Sequence, residues 1–119
     1  MPTIGMIGVG NMGSAIAKAI LKAGYSMILH NRTQEKLAVL AEQVGADVVG
    51  SESLDELINE SDIIFIGVKP NQFGTIFEQL DDLVIESKPK TWVSMAAGLS
   101  IAQLEAFTPA SHKWIRTMP

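Results

Sequence analysis

The residues best suited to chemistry in this chain are three glycines near its start, Gly8, Gly10 and Gly13, spaced as G-x-G-x-x-G. An apolar run precedes them and a helical pattern follows at once, which is the strand–turn–helix order that dinucleotide binding requires. Gly8 allows a sharp turn, Gly10 lets backbone approach a pyrophosphate, and Gly13 lets the helix pack closely on the strand. The N–H groups of Asn11, Met12 and Gly13 would then face the anion. The spacing predicts a phosphate-binding loop, with a glycine turn used only for packing as the alternative.

The segment after the second predicted strand indicates which dinucleotide this loop would hold. NAD sites usually carry Asp or Glu about 20 residues past the glycines, where it accepts a hydrogen bond from the ribose 2′-OH. Here the strand ends at His30, and Asn31, Arg32 and Thr33 follow without an acid. Hydrogen bonds from Asn31 and Thr33 and an ion pair from Arg32 suit a 2′-phosphate. We therefore predict NADP(H), with NAD(H) as the alternative; Thr33 would otherwise be only a helix N-cap and Arg32 a solvated charge.

Two further loops follow predicted strands and are expected at the same edge of the sheet. Their residues are Val68, Lys69 and Pro70 in the first loop and Ala96, Ala97 and Gly98 in the second. We interpret the first loop as shaping one side of the cofactor through backbone and ring contacts, rather than as supplying Lys69 as an acid or base. The second is small enough for a flat ring to lie against its backbone, with tight strand–helix packing as the alternative. No residue of the chain is assigned a catalytic role.

The elements that must position these loops alternate between strand and helix. Strands are predicted over Thr3–Ile7, Tyr25–His30, Ala46–Val49, Ile63–Val68, Thr91–Met95 and Lys113–Arg116, and helices over 11–23, from Thr33 to Gly45, from Ser53, over 72–84 and from Ser100. This alternation predicts an α/β fold, a Rossmann-type doubly wound and mainly parallel sheet of about six strands with helices on both faces. The strand Ile63–Val68 is apolar throughout, as is typical of a central strand covered on both faces. Trp92 and Trp114 lie on strands and are expected in the core.

Composition excludes several classes of function. The chain has 119 residues, enough for one domain with a core, and its net charge of -4 offers no basic stripe for nucleic acid. It has no cysteine, which excludes disulfides and a thiol nucleophile and favours a reducing, cytoplasmic location. Its two histidines and its acids show no metal-ligand spacing, so no metal site is expected. No apolar run approaches the ~20 residues of a membrane-spanning helix.

Five stretches of the sequence together resemble one enzyme family. They are IGMIGVGNMGSAIAKAIL, HNRT, VKPNQF, SMAAGLSIAQLE and IRTMP. They are similar to the N-terminal domain of pyrroline-5-carboxylate reductase, the enzyme of the last step of proline synthesis, and VKP, SMAAG and R-x-MP in this order are more specific than the glycine motif. The resemblance covers essentially all 119 residues. It implies hydride transfer from C4 of a reduced nicotinamide to the C5 imine carbon of 1-pyrroline-5-carboxylate, with the nicotinamide near Val68–Pro70 and Ala96–Gly98.

The resemblance also implies a partner domain. Family members carry a second, all-helical domain that makes the dimer and supplies most of the substrate pocket, including a hydroxyl-bearing residue near the imine. Residues 1–119 would then be the cofactor-binding half of a homo-oligomeric enzyme, with little or no reductase activity alone. Two alternatives stay open: a domain similar to the NADP-dependent 3-hydroxyacid dehydrogenases, which also begin with G-x-G-x-M-G, and a non-catalytic, reductase-like module that binds NADP(H).

Overall fold

Six strands form a single sheet in the part of the chain that the computed structural model describes, which comprises residues 3–8, 11–30, 48–50, 54–95 and 98–117. The strands are β1 (Thr3–Ile7), β2 (Ser26–His30), β3 (Val48–Gly50), β4 (Ile63–Ile66), β5 (Thr91–Ser94) and β6 (Lys113–Arg116). The helices described are α1 (Asn11–Lys22), α2 (Leu54–Glu60), α3 (Phe73–Glu86) and α4 (Ile101–Glu105), and a 3-10 turn (Pro70–Gln72) leads directly into α3.

Every pairing in this sheet is parallel, and the strand order is β3-β2-β1-β4-β5-β6. The chain begins in the middle of the sheet, winds outward to β3, returns to the centre at β4 and winds outward again to β6. The predicted doubly wound fold is therefore confirmed. The direction of winding reverses between β1 and β4, and the carboxyl ends of the strands beside such a reversal are where open α/β sheets bind ligands.

The predicted element ends differ from the observed ones by a few residues. β4 ends at Ile66 rather than Val68; the next residue, Gly67, still bonds to β1 but also packs against the turn after β1. The helix predicted over 72–84 extends over Phe73–Glu86. The predicted capping box at Ser100 is confirmed: its Oγ accepts from Gln103 N (3.1 Å) and its N donates to Gln103 Oε1 (2.8 Å). The helix predicted from Thr33 and the cap predicted at Ser53 lie outside the described residues.

An aromatic core fills one face of the sheet beneath α2, α3 and α4. Trp92 is fully buried and Trp114 nearly so, which confirms their predicted place in the core. Their rings stack with centroids 5.6 Å apart, and the Phe77 ring of α3 lies 5.3 Å from that of Trp92. The indole N–H of Trp114 donates to Thr108 Oγ1 (2.9 Å), so its one polar group is paired. This packing fixes α3, and with it the turn that precedes α3, against the sheet.

In the described part of the chain, α1 covers the opposite face over β1 and β2, and no element covers this face over β4, β5 and β6. A groove of about 540 Å³ lies here, and most of the side chains that line it are apolar. They belong to Ile4, Ile16, Ala19, Ile20, Ala23, Tyr25, Ile63, Phe65, Thr91, Val93 and Ile115. Ile63 and Phe65 are consequently only half-buried, whereas Ile64 and Ile66 on the aromatic side are fully buried. The expectation that this strand is covered on both faces therefore holds for one face only within the described residues. Ile115 is 51% exposed at the β6 side of the groove.

His112 joins two strands at the amino edge of the sheet. Its Nδ1 accepts hydrogen bonds from Lys90 N (3.2 Å) and from Trp92 Nε1 (3.0 Å), and its side chain is buried. An atom that accepts twice carries no proton, so the imidazole is the neutral Nε2–H tautomer. Burial, together with the positive charge of Lys90, lowers the pKa of His112 below its usual value.

We expect the stability of the fold to fall with acidification because of this histidine. Its pKa is lower in the folded chain than the unfolded value of about 6.5, so its contribution is complete above that pH. The contribution is lost as the pH falls through the folded pKa, when Nδ1 gains a proton and loses both donors. Urea unfolding between pH 7 and 5 should show a smaller decrease in the free energy of unfolding for His112→Asn, which keeps an acceptor but does not titrate.

His30→Asn provides the matched control, because burial also lowers the pKa of His30. This variant should retain the part of the pH dependence that belongs to His112. A His112→Asn protein whose stability decreased with acid as steeply as the unchanged chain would contradict the assignment.

Candidate functional site

Hydrogen bonds between backbones tie together the loops at the carboxyl edge of the sheet. The bonds run from Gly8 N to His30 O (2.9 Å), from Gly67 N to Ile7 O (2.8 Å), from Met95 N to Ile66 O (3.0 Å) and from Thr117 N to Ser94 O (2.9 Å). Thr117 Oγ1 adds a second bond to Ser94 O at 3.0 Å. Each bond lies one residue beyond the strand that supplies the donor, so the parallel ladder continues into the loops. The segments predicted to act together thus begin from one rigid edge.

Gly8 makes the turn that its spacing predicts. Its φ is +87°, a left-handed conformation that other residues rarely adopt. A Cβ at this position would lie 2.9 Å from Val68 Cγ1 and 3.0 Å from the carbonyl carbon of Gly67. Both the backbone angle and the space therefore require glycine. The binding of phosphate by this turn stays a prediction.

Gly67 is a second glycine of this edge, and no role is predicted for it from the sequence. A Cβ on Gly67 would lie 2.7 Å from Gly8 O and 2.7 Å from Met95 Cε. The absence of a side chain thus lets the turn after β1 and the loop after β4 touch backbone to backbone. A glycine at the end of an otherwise apolar strand is the signal that could have indicated such a close approach.

The first turn of α1 comes directly after this glycine turn. It contains Asn11, Met12 and Gly13, and no acidic residue lies in it. The first N–H groups of a helix have no acceptor within the helix, and the helix dipole makes this end positive. The structure therefore brings the donors of α1 to the switch point between β1 and β4, where an anionic group would be bound.

A cavity of about 370 Å³ adjoins this edge on the side of β2 and α3. It is lined by His30, Val68, Gln72, Thr75, Ile76 and Gln79. Burial lowers the pKa of the half-buried His30, so its imidazole is neutral at pH 7. The cavity joins two branched apolar side chains with hydroxyl and amide groups, a combination that suits the faces and the edge of a flat heterocycle.

Two hydrogen bonds between Lys69 and Gln72 hold the loop after β4 in shape. Lys69 N donates to Gln72 Oε1 (3.3 Å), and Gln72 N donates to Lys69 O (2.9 Å). Both Lys69 and Pro70 are exposed at the carboxyl edge, while Val68 packs on the aromatic core. The predicted contact surface Val68–Pro70 therefore lies beside Gly8, as the topology requires.

The other predicted site residues are only partly described. Gly98, beyond β5, has a φ of +88° and open space where a Cβ would stand. The predicted residues that lie outside the described ranges are Gly10, Asn31, Arg32, Thr33, Ala96 and Ala97. Among the residues that are described, no three His, Asp or Glu side chains gather where a metal ion could be held. No described helix has the length and apolarity to cross a membrane.

We predict that Gly67→Val weakens dinucleotide binding by about tenfold, because its side chain would push the Gly8 turn away from α1 and small displacements of a positioning element carry effects of this size. A fluorescence titration with NADPH measures the dissociation constant. Gly74→Val is the matched control, since a Cβ on Gly74 meets no atom within 4 Å. Unchanged affinity in a folded Gly67→Val protein would show that the contact between the two glycines does not position the site.

Comparisons with known proteins agree with this geometry. The chain is 34% identical over 121 residues to pyrroline-5-carboxylate reductase of Escherichia coli strain K12, an alignment that covers 98% of this chain and 43% of that protein. The structure of a pyrroline-5-carboxylate reductase from Coxiella burnetii matches with a TM-score of 0.85 and 27% identity, over 99% of this chain and 44% of that one. An imine reductase from Myxococcus stipitatus in complex with NADP+ matches with a TM-score of 0.77 and 28% identity, over 97% of this chain and 40% of that one.

The chain thus spans less than half the length of these relatives. The family model described as NADP oxidoreductase, coenzyme F420-dependent, matches residues 3–98, which include β1 to β5 and every loop of the carboxyl edge up to Gly98. On this match over most of its length, the chain belongs to the family of NADP oxidoreductases, coenzyme F420-dependent.

Proposed function

We propose that this chain is the NADP(H)-binding domain of an oxidoreductase that reduces the imine 1-pyrroline-5-carboxylate to L-proline. The observation that carries the proposal is the turn at Gly8, which passes backbone against Gly67 and leads to the first turn of α1. A side chain at either glycine would push these two segments apart, so their contact holds the turn that precedes α1. The free N–H groups at the start of α1 suit a pyrophosphate. The relatives named pyrroline-5-carboxylate reductase support the choice of substrate.

The order of the loops sets the orientation of the dinucleotide. Asn31, Arg32 and Thr33 follow β2, so the adenosine and its 2′-phosphate would lie on the β2 side, next to the cavity of about 370 Å³. The pyrophosphate would lie over β1 at the start of α1. The nicotinamide half would then extend over the loops after β4 and β5, at Val68–Pro70 and Ala96–Gly98.

The chemistry in this proposal divides between cofactor and protein. Bound NADPH supplies the hydride, from C4 of its nicotinamide, to an imine carbon. The residues of this chain bind and orient: the α1 N–H groups hold the pyrophosphate, Arg32 holds the 2′-phosphate, and the backbone after β4 and β5 supports the ring. Such positioning raises the rate because the donor is held close to its acceptor before reaction.

The remaining part of the reductase would complete the substrate pocket. We propose a second, helical domain that also forms a homo-oligomer, since the chain spans 43% of its E. coli relative. The open apolar groove over β4, β5 and β6 supports this proposal, because parallel sheets are ordinarily covered on both faces. A cytoplasmic location is proposed on the absence of cysteine from all 119 residues.

Replacing Arg32 with Ala should weaken the binding of NADPH by about tenfold and leave that of NADH nearly unchanged, because hydrogen bonds to a charged group are worth roughly 1.5–3 kcal/mol each. Fluorescence titrations with the two reduced cofactors measure the difference. Lys88→Ala, which removes an exposed cation at the opposite edge of the sheet, should affect neither.

Gly10→Val should abolish the binding of both cofactors and so tests the loop itself. Equal losses for NADPH and NADH in Arg32→Ala would overturn the 2′-phosphate assignment while leaving dinucleotide binding in place. Normal binding by a folded Gly10→Val protein would reduce the glycine motif to a packing turn.

The chain alone should bind NADPH but should not consume it when 1-pyrroline-5-carboxylate is added. The absorbance of the reduced nicotinamide is the measurement, with a full-length reductase carrying this domain as the positive control. Turnover by residues 1–119 alone would contradict the two-domain proposal. Tight cofactor binding without turnover in the full-length protein would favour the non-catalytic module.

A further inference from the structure

A polar cavity of about 360 Å³ opens at the amino edge of the sheet, opposite the candidate cofactor site. It lies where α2 and α3 end and where the chain enters β4 and β5. Two cations, Lys88 and Lys90, and two acids, Asp62 and Glu86, line it. The formal charges of these four side chains sum to zero. A charged ligand is therefore expected only beside a side chain that has no oppositely charged partner.

Lys90 is the buried cation of this cavity. Its side chain is 7% exposed, and its Nζ donates to the backbone oxygen of Ser61 at 2.8 Å. Among the described residues, no carboxylate oxygen lies within the 4.0 Å of an ion pair with it. The nearby carboxylate of Asp62 instead accepts from Thr3 N (3.0 Å). An ammonium has three N–H donors, so a buried one with a single neutral acceptor is costly to desolvate.

The electrostatics of Lys90 agree with this geometry. Burial lowers the pKa of Lys90, and the positive charge of Lys88 lowers it further, while Asp62 raises it. An anion bound at the ammonium would oppose the effect of burial. Within the described part of the chain the hydroxyl of Ser61 has no hydrogen-bond partner, but it lies toward Gly5, 2.5 Å from where a Cβ would stand, and recognition is therefore assigned to Lys90.

We propose that this cavity binds a small monocarboxylate, whose oxygens accept hydrogen bonds from the Lys90 ammonium. A single negative charge matches the one buried cation, whereas Asp62 and Glu86 would repel a phosphate dianion about twice as strongly as a monocarboxylate. The ligand binds at the edge away from Gly8, so it and the dinucleotide are accommodated together. Because β4 and β5 run from this cavity to the carboxyl edge, the carboxylate stabilises the strands that carry the loops of the cofactor site.

Acetate is the probe, and its neutral isostere acetamide is the control. Titration of the ¹⁵N-labelled chain with sodium acetate, at ionic strength held constant with sodium chloride, should move the amide signals of Asp62 and Thr91 saturably in the millimolar range. Acetamide should leave them unmoved, and the amides of Gly8 and Gly67 at the carboxyl edge should respond to neither. Saturable acetate shifts confined to the carboxyl edge, or no saturable shift at all, would overturn the proposal.

A pair of variants tests the assignment to Lys90. Acetate should raise the midpoint of thermal unfolding of the unchanged chain and of Lys18→Met, which removes an exposed cation of α1 outside the cavity, because a ligand that binds only the folded state stabilises it. Lys90→Met should lose this increase, and a folded Lys90→Met protein that kept it would contradict the assignment. If Lys90→Met does not fold, the amide shifts of the unchanged chain decide the question, since they locate the acetate directly.

Discussion

The backbone of Gly8 lies against the backbone of Gly67, and no side chain fits between them. This contact joins the turn after β1 to the loop after β4, the two central strands from which the chain winds in opposite directions. Gly8 has a left-handed φ of +87°, and α1 begins three residues further on, at Asn11. Both the position of the helix N-terminus and the shape of the β4 loop therefore depend on two missing side chains.

The rest of the carboxyl edge extends this contact outward. Backbone hydrogen bonds continue the parallel ladder one residue past the strand ends, on both sides of the central pair. Behind the edge, the stacked Trp92 and Trp114 hold β5 and β6, and Phe77 holds α3 against them. A rigid core thus supports loops made of small residues, which is the arrangement that a site built on backbone contacts requires.

The two faces of the sheet differ in how completely other elements cover them, and the polar groups at its amino edge differ in how fully they are hydrogen-bonded. The aromatic face is closed, whereas the face of α1 leaves an apolar groove over three strands. At the amino edge, His112 Nδ1 accepts two hydrogen bonds. The buried ammonium of Lys90, by contrast, has one neutral acceptor among the described residues. The groove and Lys90 are therefore the places in the described structure where contacts with a further group would stabilise the fold most.

The order of the elements, the turn at Gly8, the cap at Ser100 and the burial of both tryptophans were predictable from the sequence, because they follow from local spacing and side-chain type. The prediction that Arg32 binds a 2′-phosphate likewise rests on side-chain chemistry that is visible in the sequence. Three features came from the tertiary structure alone: Gly67 touches Gly8, and among the described residues no carboxylate pairs with the buried Lys90 and no helix covers one face of β4. These three features depend on which distant segments meet in the fold. The residue pattern of one strand or loop does not indicate which segments will lie next to it in the sheet.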